Sequence, residues 1–453
     1  MAGLANMQAQ GVAATPPMGW NSWDAYGLTI TEAQFRDNAM VLRDKLLPFG
    51  WRYAVIDEGW FFENPEDRSH PETLRYAIDP NGRYVPVPAR FPSARTMAGN
   101  GEVVTAAPGK LAATVEQTGF AELGTWVHAQ GLKFGIHIVR GIPRASVERN
   151  LPIEASGFRA QDAADTTDAC PWDPTNWGVR DNAAGQAWYD SLLRQYAGWG
   201  VDLLKVDCIA NNPYKVDEIR MIRRAMDKAG RPMVLSLSPG PTALEHAEEV
   251  RALAQMWRIS NDVWDVWGDS GGKDFPQPVS GQFARVSAWQ KFAGGGHWPD
   301  ADMLPVGELR PSPGWGAART TRLSADEQRT MVTLWAMARS PLIVGANLTL
   351  LDDTTLRLLT KAQVIAVDQT AIWSREVLRD GDLVVWRAGM PGGRAAVAVF
   401  NLGDKAMLVD AALSRTEVMA AGGDVELKDV WTGNKVGKLS EIAPHGCVLL
   451  MSR

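Results

Sequence analysis

Cysteine is scarce in this chain, with three residues (Cys170, Cys208, Cys447) among 453. Three thiols cannot build a disulfide framework, and no Cys-x-x-Cys pair or Cys/His spacing suggests zinc. Whether Cys170 and Cys208 meet in space stays open at this level. Long apolar runs are missing too; none approaches the roughly 20 residues that span a bilayer, so no membrane partner is expected. Basic tracts are absent as well. Lys and Arg number 46 against 52 Asp and Glu, a formal net charge of −6, which argues against a nucleic-acid partner. Residues 1–14 form an N-terminal tail without a charged n-region or an apolar h-region, so no signal peptide is recognised. Two compartments fit that tail: export, with the signal already trimmed, or the cytoplasm. Tyr is sparse at seven and Phe at twelve, whereas Trp reaches nineteen.

Several of these tryptophans (Trp23, Trp60, Trp257, Trp264, Trp298) stand beside acids. Indole faces stack on the apolar faces of sugar rings, which points to carbohydrate; core filling is the alternative for any one of them. The most informative stretch is Leu203-Leu204-Lys205-Val206-Asp207-Cys208. It reads as a buried parallel strand with Lys205 and Asp207 on one face, ended by Ile209-Ala210-Asn211-Asn212-Pro213. A Lys and an Asp are buried together only if paired or used. Either a structural ion pair or a catalytic carboxylate at the C-terminal face of a (β/α)₈ barrel fits.

Short apolar runs alternate with amphipathic stretches from about residue 17 to 345. Strands are predicted at Met18–Trp20, Tyr53–Asp57, Lys133–Ile138, Leu203–Asp207, Met233–Leu237, Gln255–Ile259, near His297–Pro299 and at Pro341–Val344. Eight strand–helix units predict an α/β fold, a closed (β/α)₈ TIM barrel over residues 15–370. The segment from about Phe61 to Pro108, rich in Pro and Gly, reads as a long loop over the active-site face. Beyond it, residues 371–453 change texture. Leu383–Trp386, Ala395–Phe400, Glu417–Ala420, Glu426–Val430 and Cys447–Met451 read as strands of a C-terminal antiparallel β-sandwich.

Acids recur at the barrel strand tips: Asp57 and Glu58, Asp207, Asp262, Asp300 and Asp302, with His137 ending the third strand. Lys205, Arg258 and Arg140 supply counter-charges. Such a rim suits a polyhydroxylated ligand and a working pair of carboxylates. An oxygen-rich rim also suits Mg²⁺ or Ca²⁺, although the interleaved Trp and cations speak against it, and helix N-capping is the plain alternative for any single acid.

Five motifs, in order, resemble glycoside hydrolase family 27, the α-galactosidase and α-N-acetylgalactosaminidase family. They are Thr15-Pro16-Pro17-Met18-Gly19-Trp20-Asn21-Ser22-Trp23, Ile56-Asp57-Glu58-Gly59-Trp60, Lys205-Val206-Asp207, Trp257-Arg258-Ile259-Ser260-Asn261-Asp262 and Trp298-Pro299-Asp300-Ala301-Asp302-Met303-Leu304. The resemblance implies a retaining exo-hydrolase needing no cofactor or metal. Asp207 would be the nucleophile and Asp262 the general acid/base, with Trp23, Asp57, Glu58, Lys205, Arg258 and Asp302 on the sugar. An ionised Asp207 beside Lys205, and an Asp262 kept protonated near Trp257 and Trp264, agree with those roles.

Three positions depart from the common galactosidase pattern. Glu58 replaces a second Asp, and its extra methylene reaches towards the galactose hydroxymethyl, favouring β-L-arabinopyranose, which lacks that group. His137 replaces a Tyr and is either a sugar ligand or a packed histidine tied to a neighbour. Ser238 stands near the position of a Glu that grips the 2-hydroxyl, leaving room for an acetamido group. The expected activity is therefore an α-galactosidase acting on oligosaccharides or polysaccharides with terminal galactose-like sugars. α-N-acetylgalactosaminidase and β-L-arabinopyranosidase are the alternatives within the family, and a non-catalytic sugar-binding barrel is the alternative outside it. Oligomeric state stays open.

Overall fold

The computed structural model describes residues 11–94, 100–105, 111–116, 119–211, 213–268, 275–310, 317–408, 428–434 and 441–451. Eight short strands make one parallel sheet: β1 (Met18–Asn21), β2 (Tyr53–Ile56), β3 (Lys133–Val139), β4 (Leu203–Asp207), β5 (Val234–Leu237), β6 (Met256–Arg258), β7 (Trp298–Asp300) and β8 (Leu342–Val344). They pair in chain order from β1 to β7, and β1 also pairs with β8. The ring closes just past β7, where Leu304 bridges Val344 and its N–H donates to Ile343 O at 2.8 Å. This is the (β/α)₈ barrel that the strand–helix alternation predicts. All eight anticipated strands form, each end within one residue of its expected place.

Helices clad the outside because their apolar residues recur at helical spacing. In α4 (Val216–Ala229), following α1 (Glu32–Val41), α2 (Ala121–Ala129) and α3 (Ala183–Gly198), the buried face is Ile219, Met221, Ile222, Ala225 and Met226. Gly230, at φ 72°, ends α4 in the left-handed conformation. At the start of α3 the Asn182 side chain accepts from Gly185 N at 2.7 Å. No helix among the described residues is long and apolar enough to cross a membrane. The excursion after β2 is more ordered than expected: Arg75–Ile78, Asn100–Thr105 and Leu111–Glu116 pair as a three-stranded antiparallel sheet. Its strands, four to six residues long, are too short to show a period, and Pro and Gly fill the connections around them.

After the barrel, β9 (Trp373–Asp380), β10 (Leu383–Gly389), β11 (Ala395–Asn401) and β12 (Cys447–Met451) form an antiparallel sheet in that order. A two-stranded ladder, Met407–Leu408 with Glu441–Ile442, lays Ile442 and Met407 over Leu383, Val385, Val399 and Leu450, the second layer of the sandwich. The opposite face joins the barrel's own core. There Phe400 on β11 meets Phe283 edge-on at 5.0 Å, and Trp431 Nε1 donates to Thr333 Oγ1 at 2.9 Å. β9 is a half-exposed edge strand carrying Arg375, Glu376 and Arg379, so it lacks the apolar run that marks its neighbours. The anticipated strand Glu417–Ala420 lies outside the described residues, as does the start of Glu426–Val430, of which Asp429 bridges Leu450. Phe400→Ala should cost about 3–5 kcal/mol in denaturant unfolding, because a fully buried ring is lost at this seam. A loss below about 1 kcal/mol would mean that the sandwich and the barrel do not share a core.

Candidate active site

The strand tips converge on the barrel's C-terminal face. Lys205, two residues before the end of β4, reaches across to β2 and places Nζ 2.7 Å from Asp57 Oδ2. The same oxygen accepts from Asn21 Nδ2 at 2.6 Å, and Asp57 Oδ1 accepts from Glu58 N at 2.9 Å. Burial disfavours the Asp57 charge, yet Lys205 and His137 outweigh it and hold the carboxyl well below the usual range. Lys205 responds in the opposite sense: burial would discharge it, but Asp57 and Asp207 raise its pKa.

Asp207 closes β4. Its Oδ2 lies 3.2 Å from His137 Nε2, and its Oδ1 accepts from Cys208 N. Cys208 is pinned three ways: at φ 60°, through a disulfide to Cys170, and by Arg140 Nε donating to its carbonyl at 2.7 Å. Arg140 in turn binds Asp168 bidentately, at 2.9 Å on each arm, and Glu218 at 2.7 Å. Tyr189 hydrogen-bonds the other Glu218 oxygen. A buried cation between two acids beneath the loop that follows Asp207 leaves that loop little freedom.

On the far side, Arg258 ends β6 and bonds Asp302 Oδ2 at 2.7 Å and Asp262 Oδ1 at 3.1 Å. Asp302 adopts φ 85°, a conformation costing about 1–3 kcal/mol in a non-glycine residue. It is held by its N–H on Asp300 Oδ1 at 2.9 Å, its carbonyl on Trp335 Nε1 at 2.8 Å, and its carboxylate on Val263 N at 2.7 Å. Burial, assisted by the Asp262 and Asp300 charges and opposed by Arg258, pushes Asp302 up to about 7.

Two connected cavities result. A narrow inner one is lined by Trp23, Asp57, Glu58, Lys205, Asp207, Ser238, Arg258, Asp262 and Asp302, with Asp24, Val263, Trp264 and Met303. An outer cavity of about 910 Å³ opens above it, and Trp23, Glu58, Asp207 and Asp262 line both. Thus all the anticipated site residues except His137 meet around one pocket. Among the described residues no group of three or more His, Cys, Asp or Glu is arranged to hold a metal ion.

Several expectations need correction. β3 runs two residues past His137, to Val139, so this histidine lies a layer below the rim, paired in register with Lys205. It is fully buried behind Asp207 and Asp57 rather than lining the cavity. Trp257 packs on Trp289 in the outer core, leaving Trp264 as the indole near Asp262. Trp60 and Trp298 are likewise core residues, with Nε1 donating to His137 O and Ala13 O. Arg140 is a buried strut, not a rim cation.

Other residues went unnoticed in the sequence. Arg68, from the excursion after β2, bonds Glu58 Oε1 through Nη2 at 3.0 Å. Trp172 and Asp173 wall the outer cavity. Asp24 lines the inner one in space that Gly345 leaves open, since a Cβ there would sit 1.9 Å from Asp24 Oδ2. Asp24 alone had a readable signal, an acid directly after Trp23 at the β1 tip.

His137 gives a pH signature. Burial disfavours its charge, but Asp57 and the Asp207 bond prevail, so its pKa rises in the fold from 6.5. The native state therefore holds the proton more tightly than the unfolded chain, and this stabilisation is full below about pH 6.5 and lost as pH rises through the folded pKa. His137→Gln should remove that alkaline decline, read as Tm against pH for both proteins. Parallel Tm curves would mean that His137 carries no such charge.

Residues 182–370 match the family model for alpha galactosidase A, and residues 380–452 match that for the alpha galactosidase C-terminal beta sandwich domain. An α-galactosidase from Cyamopsis tetragonoloba is 26% identical over 446 residues, covering 96% of this chain and 86% of that protein. Among solved structures, a GH27 β-L-arabinopyranosidase from Geobacillus stearothermophilus is 39% identical, with TM-score 0.82, covering 98% of this chain and 97% of the other. A putative α-N-acetylgalactosaminidase from Bacillus halodurans is 36% identical, with TM-score 0.77 and 96% of each chain covered. Likeness at that level of identity, sustained from end to end, goes beyond a shared barrel: this chain belongs to glycoside hydrolase family 27 and is an O-glycosyl hydrolase.

Proposed function

We propose that this chain is a retaining exo-glycosidase that removes terminal galactose-configured pyranoses from oligosaccharides or polysaccharides, and that it prefers β-L-arabinopyranosides to α-D-galactosides. The narrow inner pocket at the barrel's C-terminal face supports exo action, because a terminal sugar enters it more readily than the interior of a chain. Asp207 attacks the anomeric carbon while Asp262 gives its proton to the leaving oxygen; a glycosyl ester on Asp207 forms and the glycosidic bond breaks. Asp262, now a base, takes a proton from water, whose oxygen displaces Asp207 at the same carbon. His137 holds the Asp207 carboxylate in place at 3.2 Å, and Asp262, whose side chain is 39% exposed, is open to the leaving group and to water.

One observation carries the choice of sugar. Glu58 lines the inner pocket beside Asp57, and Arg68 ties its carboxylate in place. A tethered Glu cannot swing aside for a hydroxymethyl group as a free one does, which favours the pentose. Similarity to the β-L-arabinopyranosidase, at 39% identity against 26% for the plant α-galactosidase, agrees. A second reading rests on Ser238, a small side chain on the same pocket that leaves room for an acetamido group.

Initial rates on nitrophenyl β-L-arabinopyranoside, α-D-galactoside and α-N-acetylgalactosaminide test this directly, with the arabinopyranoside expected fastest. Glu58→Asp should shift the arabinopyranoside-to-galactoside ratio towards galactose by roughly 10–200-fold, the usual worth of one methylene in a tight pocket. An unchanged ratio would remove Glu58 from the argument. Asp262→Ala should lower turnover of substrates with poor leaving groups by about 10²–10⁴-fold, with azide restoring turnover of activated aryl glycosides. Equal losses for all leaving groups and no azide rescue would leave Asp262 as a binding residue only.

A further inference from the structure

Among the described residues six acids line the inner pocket, and five of them have fixed partners. Asp57 holds Lys205 and Asn21, Glu58 holds Arg68, Asp207 meets His137 and the Cys208 N–H, and Asp262 and Asp302 share Arg258. Asp24 is the exception. It is 2% exposed, yet its Oδ2 is buried without a hydrogen-bond partner among the described residues. Its backbone is nevertheless fixed, because Asp24 O accepts from Arg310 N at 3.0 Å and the preceding Trp23 N donates to Asn21 Oδ1 at 2.8 Å. Asn21 also donates to Asp57, so one side chain helps to place both acids. Across the pocket wall, the bare Gly345 just past β8 leaves the space that the Asp24 carboxyl occupies.

A buried carboxyl without a partner weakens a fold, and such a group persists where function uses it. The surroundings also set the form it takes. Burial, aided by the Asp302, Asp262 and Asp57 charges and opposed by Lys205, pushes the Asp24 pKa well above the usual carboxylate range. Asp24 therefore holds its proton more firmly than an ordinary aspartate, and a protonated carboxyl offers an O–H donor beside an acceptor oxygen. A sugar hydroxyl, donor and acceptor at once, is the complement of that pair. We propose that Asp24 is a specificity-determining residue of the inner pocket, its unpartnered carboxyl engaging one ring hydroxyl of the terminal sugar. Sugars that lack this hydroxyl are rejected, because the buried carboxyl is then left unsatisfied. This rests on the inner pocket's holding the terminal sugar, as argued above.

Deoxygenated substrates test the assignment. We would compare kcat/KM for a nitrophenyl glycoside and each of its mono-deoxy forms in wild type, Asp24→Ala and Asp24→Asn. The series is built on whichever parent, β-L-arabinopyranoside or α-D-galactoside, the wild type cleaves faster. One deoxy form should cost the wild type about tenfold or more beyond what it costs Asp24→Ala, while the others cost both proteins alike. On the parent glycoside Asp24→Ala should lose about tenfold or more, and Asp24→Asn, which keeps a donor and an acceptor, should recover most of that loss. Since the carboxyl has no partner to lose, Asp24→Ala should melt no lower than the wild type. Equal penalties for every deoxy form in wild type and Asp24→Ala would overturn the proposal. A Tm several degrees lower for Asp24→Ala would make Asp24 a packing residue and overturn it as well. A wild type inactive on both parent glycosides would overturn the reading of the inner pocket itself, and this role with it.

Discussion

Lys205 pressed between Asp57 and Asp207 is the interaction on which the remainder of the site depends. A largely buried ammonium is costly alone, and a buried carboxylate equally so, but reaching across β3 to the tip of β2 each makes the other tolerable. Once Asp57 is committed to Lys205 and Asn21, it is a fixed acceptor rather than a mobile acid. His137 is drawn in beneath as a further donor and holds Asp207 at 3.2 Å on the wall of the pocket. Arg258 repeats the arrangement on the opposite wall with Asp302 and Asp262. The site is thus a ring of carboxylates keyed by a few buried cations, and a sugar's hydroxyls have many fixed acceptors to choose from.

Rigidity around Asp207 comes from below and from the side. Arg140, itself held by Asp168 and by Glu218 with its Tyr189 partner, donates to the Cys208 carbonyl, and the Cys170 disulfide ties the same residue to the outer wall. Asp207 and the outer wall are therefore fastened to one another. Retaining hydrolysis needs this, because a carboxylate misplaced by about 1 Å forfeits much of its advantage. Replacing such a strut would affect chemistry and substrate choice at once.

The barrel was legible because parallel strands buried on both faces are short apolar runs, and all but the last ended in, or ran straight into, a polar residue that named the C-terminal face. The acids of the pocket were legible for the same reason: Asp57, Asp207 and Asp262 sit on or just beyond those tips. His137 was misjudged by one layer, since nothing in Gly135-Ile136-His137-Ile138-Val139 marks where pairing stops. Trp257 was misjudged by face: the indole points outward to Trp289 while Arg258, its neighbour, points in. Arg68 and Asp173 were invisible because long connections place them, and only the closed fold brings those connections over the mouth. The edge strand β9 escaped notice because its exposed face needs no apolar pattern.

Trapping the covalent intermediate tests the central claim most directly. An activated 2-deoxy-2-fluoro-β-L-arabinopyranosyl fluoride should inactivate the protein with a one-to-one gain in mass, and peptide mapping should locate the added sugar on Asp207. Slow reactivation in buffer, speeded by an acceptor sugar, would mark the adduct as a true intermediate. A label on Asp57, Asp262 or Asp302, or no label while the substrate is still hydrolysed with inversion, would contradict the account.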